Sequence, residues 1–152
     1  MEITTAEVAL RVLMAGVLGA LVGLDRELKD HPAGLRTHIL VSLGAALFTL
    51  VGVLTAGAAG GGARVDPTRV AAQVVTGIGF LGAGAILREG TNIRGLTTAA
   101  GLWVTAAIGM AAGLGFYAAA AITTVAAVVA LFGLKNLERR LFRRRKVKPE
   151  GS

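Results

Sequence analysis

The chain contains no cysteine, which removes disulfides, thiolate metal sites and a cysteine nucleophile. Histidine is almost as scarce: His31 and His38 are too few to cage a metal. Aromatic residues make up 5% and charged residues 16%, whereas an average soluble domain is about 25% charged. No Ser/His/Asp set, Walker loop, HExxH or paired-carboxylate pattern occurs, so no catalytic residue and no cofactor is expected. Residues 1–10 lack a basic segment and carry Glu2 and Glu7, which argues against a cleaved leader.

What the chain has instead is apolar bulk. Of 152 residues, 54% are hydrophobic, 22 are glycine, and the mean hydropathy is +0.68. The length suits one domain. The apolar residues fall in blocks rather than stripes, the pattern of a membrane protein. Five blocks approach the ~17–25 residues that cross a hydrocarbon core: Val8–Leu24, Ile39–Ala59, Val70–Leu87, Leu96–Ala112 and Tyr117–Leu134. The expected fold is therefore an all-α, five-helix transmembrane domain over residues 1–134, followed by a basic tail over 135–152. Arg11, near the start of the first span, is expected to snorkel to the interface. Asp30 with Pro32, and Asp66 with Pro67, have the capping order that opens a helix. "GLGF", Gly113 to Phe116, reads as a tight helical hairpin.

The net charge of +7 is uneven: residues 135–152 hold eight Lys/Arg against two Asp/Glu. The charge therefore belongs to the tail and implies anionic lipid headgroups as a partner rather than nucleic acid. If this segment stays helical, Leu134, Leu137 and Leu141 share one side. With the N-terminus outside, the inner segments hold 13 Lys/Arg and the outer ones 3, so the positive-inside rule places the C-terminus in the cytoplasm. The polar loops "LDRELKDHPAGLRTH" and "LREGTNIRGLTT" then share the cytoplasmic face. Their residues Asp25, Arg26, Glu27, Arg36, Arg88, Glu89, Asn92 and Arg94 form the candidate functional cluster. Asp25 or Glu27 is expected to pair with Arg88 or Arg94, locking one loop to the other. Thr97 and Thr98 are expected to serve the first turn of the fourth helix. Whether the carboxylates hold a metal is left open.

"GIGFLGAG", Gly77 to Gly84, has the G-x-G-x-x-G spacing of a dinucleotide loop. Its context lacks the preceding strand and the acidic residue ~20 positions later that such a loop needs. Close helix packing is the reading that fits, because small residues let backbones approach in lipid. Gly77, Gly79, Gly82 and Gly84 are assigned to such a seam on the third helix. Ala15, Gly19 and Gly23 make another on the first, and Gly101, Thr105, Gly109 and Gly113 a third on the fourth. Gln73 and Trp103 are taken as buried polar groups. No ionisable residue is expected near the midplane, which weighs against an ion pathway.

The stretches "GLDRE…PAGLRTHILVSLGAALF", "RVAAQVVTGIGFLGAGAILREG" and "IRGLTTAAGLWVTAAIGMAAGLGFY" closely resemble the MgtC/SapB family of bacterial inner-membrane proteins. The resemblance runs from about Gly16 to Tyr117. Its motif positions fall on Arg26, Glu27, Pro32, Gly34, Leu35, Arg36 and Thr37, then on Gln73, Gly77, Gly79, Gly82, Gly84, Arg88, Glu89, Asn92, Arg94, Gly95, Thr98 and Trp103. It implies a five-helix inner-membrane domain and a non-enzymatic, regulatory role in adaptation to low magnesium or related stress. It also implies a membrane-protein partner such as the F-type ATP synthase. Self-association, as a dimer or larger homo-oligomer, is expected through the glycine faces. A small oligomeric channel or transporter for Mg²⁺ or another ion is the alternative. Many relatives carry a soluble C-terminal domain, whereas this chain ends 18 residues after Leu134, as a minimal member would.

Overall fold

In the computed structural model, which describes residues 3–58, 66 and 68–142, five helices follow one another with a single short hairpin between the third and fourth. They are α1 (Thr5–Leu28), α2 (Leu35–Ala58), α3 (Thr68–Gly84), α4 (Leu96–Gly113) and α5 (Tyr117–Phe142); β1 (Leu87–Glu89) pairs antiparallel with β2 (Asn92–Arg94). Among the described residues, three helices are long and apolar enough to cross a membrane: Thr5–Leu28, Leu35–Gly57 and Leu96–Gly113. The apolar part of α5, Tyr117–Phe132, and the 17-residue α3 are shorter. By length and composition these are the helices of a membrane protein.

Local chemistry fixes most helix ends. Thr4 caps α1 through a capping box, its side chain accepting from the Glu7 amide while the Glu7 carboxylate accepts from the Thr4 amide. That box starts α1 three residues before the apolar block. Asp66 accepts from both the Thr68 amide (2.9 Å) and hydroxyl (2.7 Å), which opens α3 and holds the Asp66 carboxyl below its ordinary value. The proposed proline at the next position lies outside the described residues, as does Ala59 at the end of the second span. The third span is corrected at its end: α3 stops at Gly84 and residues 87–94 form the hairpin. α5 runs on to Phe142, into the basic segment; the side chains of Leu134, Leu137 and Leu141 lie outside the described set.

The core is built from small residues. α1, α2 and α4 pack on one another, with α3 against α4 and α2, and α5 against α4 and α1. On α2, His38, Ser42 and Ala46 recur every four residues and are fully buried. They lie between the glycine lines of α1 and α4. A Cβ on Gly19 would fall 2.7 Å from the His38 carbonyl oxygen and from Ser42 Cβ; one on Gly23 would fall 2.9 Å from His38 Cβ. On α4, a Cβ on Gly113 would fall 2.6 Å from the Ala46 carbonyl, and one on Gly109 would collide with the Ser42 carbonyl. Many large apolar groups point outward, Phe80 at 81% exposure among them, although Leu50, Ile108 and Val22 are buried. The outward apolar surface suits lipid, where close packing and hydrogen bonding between helices favour association.

The seam expected on α3 is overturned. A Cβ at Gly77, Gly79 or Gly84 would meet nothing within 4 Å, and at Gly82 only an ordinary contact with Ala99 at 3.6 Å. α3 buries Ile78 and Gly82, and Gly77, Gly79 and Gly84 lie outside that contact. Gly77 instead borders an apolar groove of about 490 Å³ between α2 and α3. Gln73 lines the same groove and is exposed, and Trp103 is 53% exposed, so neither is a buried polar group. Trp103 lies outside the face that α4 buries through Gly101, Leu102, Thr105 and Ala106.

Arg11 is also corrected. Rather than snorkelling away, its Nη1 donates to the Gly113 carbonyl at 3.0 Å, closing one of the carbonyls left open at the end of α4. The turn beyond is as tight as expected: Gly115 adopts φ 82, and the Phe116 amide donates to Ala111 O at 2.8 Å.

Gly109→Ala and Gly19→Ala should each destabilise the bundle by about 1–3 kcal/mol through overpacking. Gly77→Ala should stay within about 0.5 kcal/mol, as surface changes do. Thermal unfolding of the three variants in one detergent compares them directly.

Candidate functional site

The α1–α2 connection, the hairpin and the start of α4 meet at one end of the bundle around a cavity of about 590 Å³. Its walls include Asp25, Arg26, Lys29, Arg94, Thr97 and Thr98, and Leu131 of α5 completes them. Asp25 and Arg26 are buried, at 3% and 4% exposure, although the sequence places them in a polar loop. The reason is local: α1 continues to Leu28, so both residues still belong to the helix and turn into the bundle.

Arg26 is the central group. Its Nη2 donates to the Thr98 hydroxyl, tying α1 to α4, while its Nε is buried without a partner. Asp25 does not reach the hairpin; it pairs with Lys29, one helical turn on. The Lys29 ammonium also sits 4.7 Å from the centre of the Phe132 ring, so the end of α1 also touches α5.

Glu27 has a different task. Its carboxylate accepts from the Leu35 amide at 2.8 Å and so caps α2. Gly34 leaves the room, since a Cβ there would collide with the Glu27 carboxylate. The expected opening of α2 by Asp30 and Pro32 is thereby replaced. Asp30 instead takes a left-handed conformation, φ 52, in the turn after α1.

The hairpin is exposed throughout. Its register sets Leu87 opposite Arg94 and Glu89 opposite Asn92, so Glu89 and Arg94 are diagonal neighbours on one face, 3.7 Å apart. Arg88 turns its Nε to the Gly90 carbonyl at 3.1 Å. The expected lock between loops through Asp25 or Glu27 with Arg88 or Arg94 is thus not made; each charge has a partner within its own segment. Of the eight candidate residues, Asp25, Arg26 and Arg94 reach the cavity. Glu27 stands outside as a cap. Arg36, Arg88, Glu89 and Asn92 are exposed away from it.

The start of α4 is held by backbone geometry. Gly95, at φ 90, lies so close to the Ala85 carbonyl that a Cβ would overlap it, which suits glycine alone. No side chain caps this helix. Thr98 was expected to serve the first turn; it receives Arg26 instead.

His38 is a buried group that the candidate cluster omitted. It is fully enclosed, and because its Nδ1 contacts the Gly34 carbonyl at 2.8 Å, that nitrogen carries the hydrogen. Its Nε2 has no partner and faces Gly101. Its spacing four residues before Ser42 was the available signal. Among the described residues, no group of three or more His, Asp or Glu is placed to hold a metal.

Thr98→Val should cost about 1.5–3 kcal/mol, the range for a hydrogen bond to a charged group. Glu27→Ala should cost about 0.5–2 kcal/mol, as loss of a helix cap does. Both are read as shifts in thermal unfolding.

The MgtC family profile matches residues 12–140. Protein MgtC of Salmonella typhimurium is 51% identical over 87 residues, covering 57% of this chain and 35% of the relative. A protein of Escherichia coli K12 named "Putative magnesium transporter YhiD" is 44% identical over 98 residues, covering 60% of this chain and 44% of that one. The chain thus spans less than half the length of these curated relatives. No solved structure matches. From the profile match over most of its length, the chain belongs to the MgtC family.

Proposed function

We propose that this chain is a non-enzymatic, regulatory inner-membrane protein serving adaptation to low magnesium or related stress, and that the cavity end of the bundle is its recognition surface. The observation that carries this is Arg26: a buried arginine tied to Thr98 on a cavity wall, at the end of an apolar helix. A charge inside apolar spans is costly and is kept where it has a task. The polar groups deeper in the bundle are used locally: Ser42 donates to the Ala15 carbonyl at 2.7 Å and Thr105 to the Gly101 carbonyl at 2.8 Å. That use favours packing over an ion path.

In this reading all five helices cross the membrane, with the N-terminus outside and the cavity facing the cytoplasm. The basic tail lies on anionic headgroups. The outward glycines of α3 are available to a second copy or to a membrane-protein partner such as the ATP synthase. Magnesium transport is the second reading, and the printed name of the YhiD relative is the observation that favours it.

Because the chain lacks cysteine, single-cysteine labelling reads the topology cleanly. Asp66→Cys should react with an impermeant maleimide in intact spheroplasts, and Thr91→Cys only after permeabilisation; the reverse pattern would invert the orientation. For function, the wild-type chain should restore growth of a deletion strain in low magnesium, and Arg26→Lys should restore it poorly. Reconstituted vesicles should show no Mg²⁺ entry beyond protein-free vesicles. Robust entry would install the transport reading in place of the regulatory one.

A further inference from the structure

The charges around the end-of-bundle cavity do not balance. Lys29 is matched by Asp25, and Arg94 by Glu89 on the hairpin. Arg26 has no carboxylate within ion-pair distance among the described residues; its one bonded partner is the neutral Thr98 hydroxyl. The adjacent Asp25 carboxylate acts on Arg26 through space but is also engaged by Lys29, so the two cations have one carboxylate between them. Arg26 lines the cavity, and its Nε is buried without a partner.

A second, independent element converges there. α4 begins at Gly95 with no side-chain cap, and its first internal bond runs from the Ala99 amide to Gly95 O at 2.9 Å. The amides of Leu96, Thr97 and Thr98 therefore have no acceptor within the helix. These residues line the cavity, and the positive end of an 18-residue helix adds to the field of Arg26. The Thr97 and Thr98 hydroxyls supply further polar groups on the same wall. The volume of about 590 Å³ exceeds that of a bare ion and fits a substituted headgroup.

We propose that this cavity binds a phosphate-bearing anion. The Arg26 guanidinium supplies the counter-charge and the open first turn of α4 the hydrogen-bond donors, while Arg94 attracts the anion from the rim. Phosphate suits this donor set because its several oxygens can take the arginine fork and the amides together. The anion is either the headgroup of an anionic phospholipid entering from the leaflet or a soluble phosphate. The proposal rests on reading this end as the recognition surface. It is scored by binding to the purified protein rather than by growth, so failure of either leaves the other readable.

The test uses the full chain in two arms. In an uncharged detergent, inorganic phosphate is titrated by calorimetry. In nanodiscs of mixed phosphatidylcholine and phosphatidylglycerol, native mass spectrometry counts phosphatidylglycerol retained on release. Binding in the first arm identifies a soluble phosphate, and retention in the second a lipid; either supports the proposal, and absence of binding in both arms overturns it. Arg26→Lys should weaken the positive arm at least tenfold. Arg94→Gln, at an exposed rim position, should weaken it several-fold with an unchanged thermal midpoint. If Arg26→Lys does not fold, Arg94→Gln decides. A folded variant of either kind that binds as tightly as the wild type overturns the assignment.

Discussion

The bundle depends on how closely α2 is enclosed by α1 and α4. His38, Ser42 and Ala46 occupy successive turns of α2, and each faces a position where a neighbouring helix has no side chain. Glycine at 19, 23, 109 and 113 brings backbone to side chain at distances that any Cβ would forbid. In lipid there is little hydrophobic gain in bringing helices together, so this contact area and the Ser42–Ala15 hydrogen bond supply the cohesion. α3 and α5 pack around this three-helix centre.

The same closeness sets the polar chemistry. α1 carries two arginines that reach α4 at opposite ends: Arg11 to the Gly113 carbonyl and Arg26 to the Thr98 hydroxyl. They are 15 positions apart, about 22 Å along a helix, and they fix α1 and α4 as antiparallel. Neither bond would form if bulkier residues held the helices further apart. One arginine finishes a helix end. The other stands beside a cavity, with a donor left unused.

Much of the architecture was legible in the sequence, because helix existence follows from runs of apolar residues and from small residues four apart. Gly19, Gly23, Gly109 and Gly113 stand against α2 with no room for a Cβ, whereas Gly101 has room for one beside His38. The α3 glycines were misread, since a small residue signals that a neighbour can approach without saying that one does. Gly77, Gly79 and Gly84 are equally small but face open space or a groove. The loop lock failed for a related reason. Opposite charges in adjacent loops pair most readily with local partners, and Lys29, the Leu35 amide and Arg94 were nearer in sequence than the opposing loop.

The sequence by itself determined that the chain is apolar and helical, with no cysteine and two histidines. It also determined that the exceptional residues gather in two short segments, because composition and periodicity are properties of the chain alone. Only the tertiary structure decided what those segments do. The extra turn of α1 carries Asp25 and Arg26 into the bundle instead of leaving them in a solvated loop. Glu27, one residue further on, points outward to cap α2. Three adjacent residues therefore have three different tasks, because a helix turns each by about 100 degrees from the last and only the packed neighbours define which direction is inside.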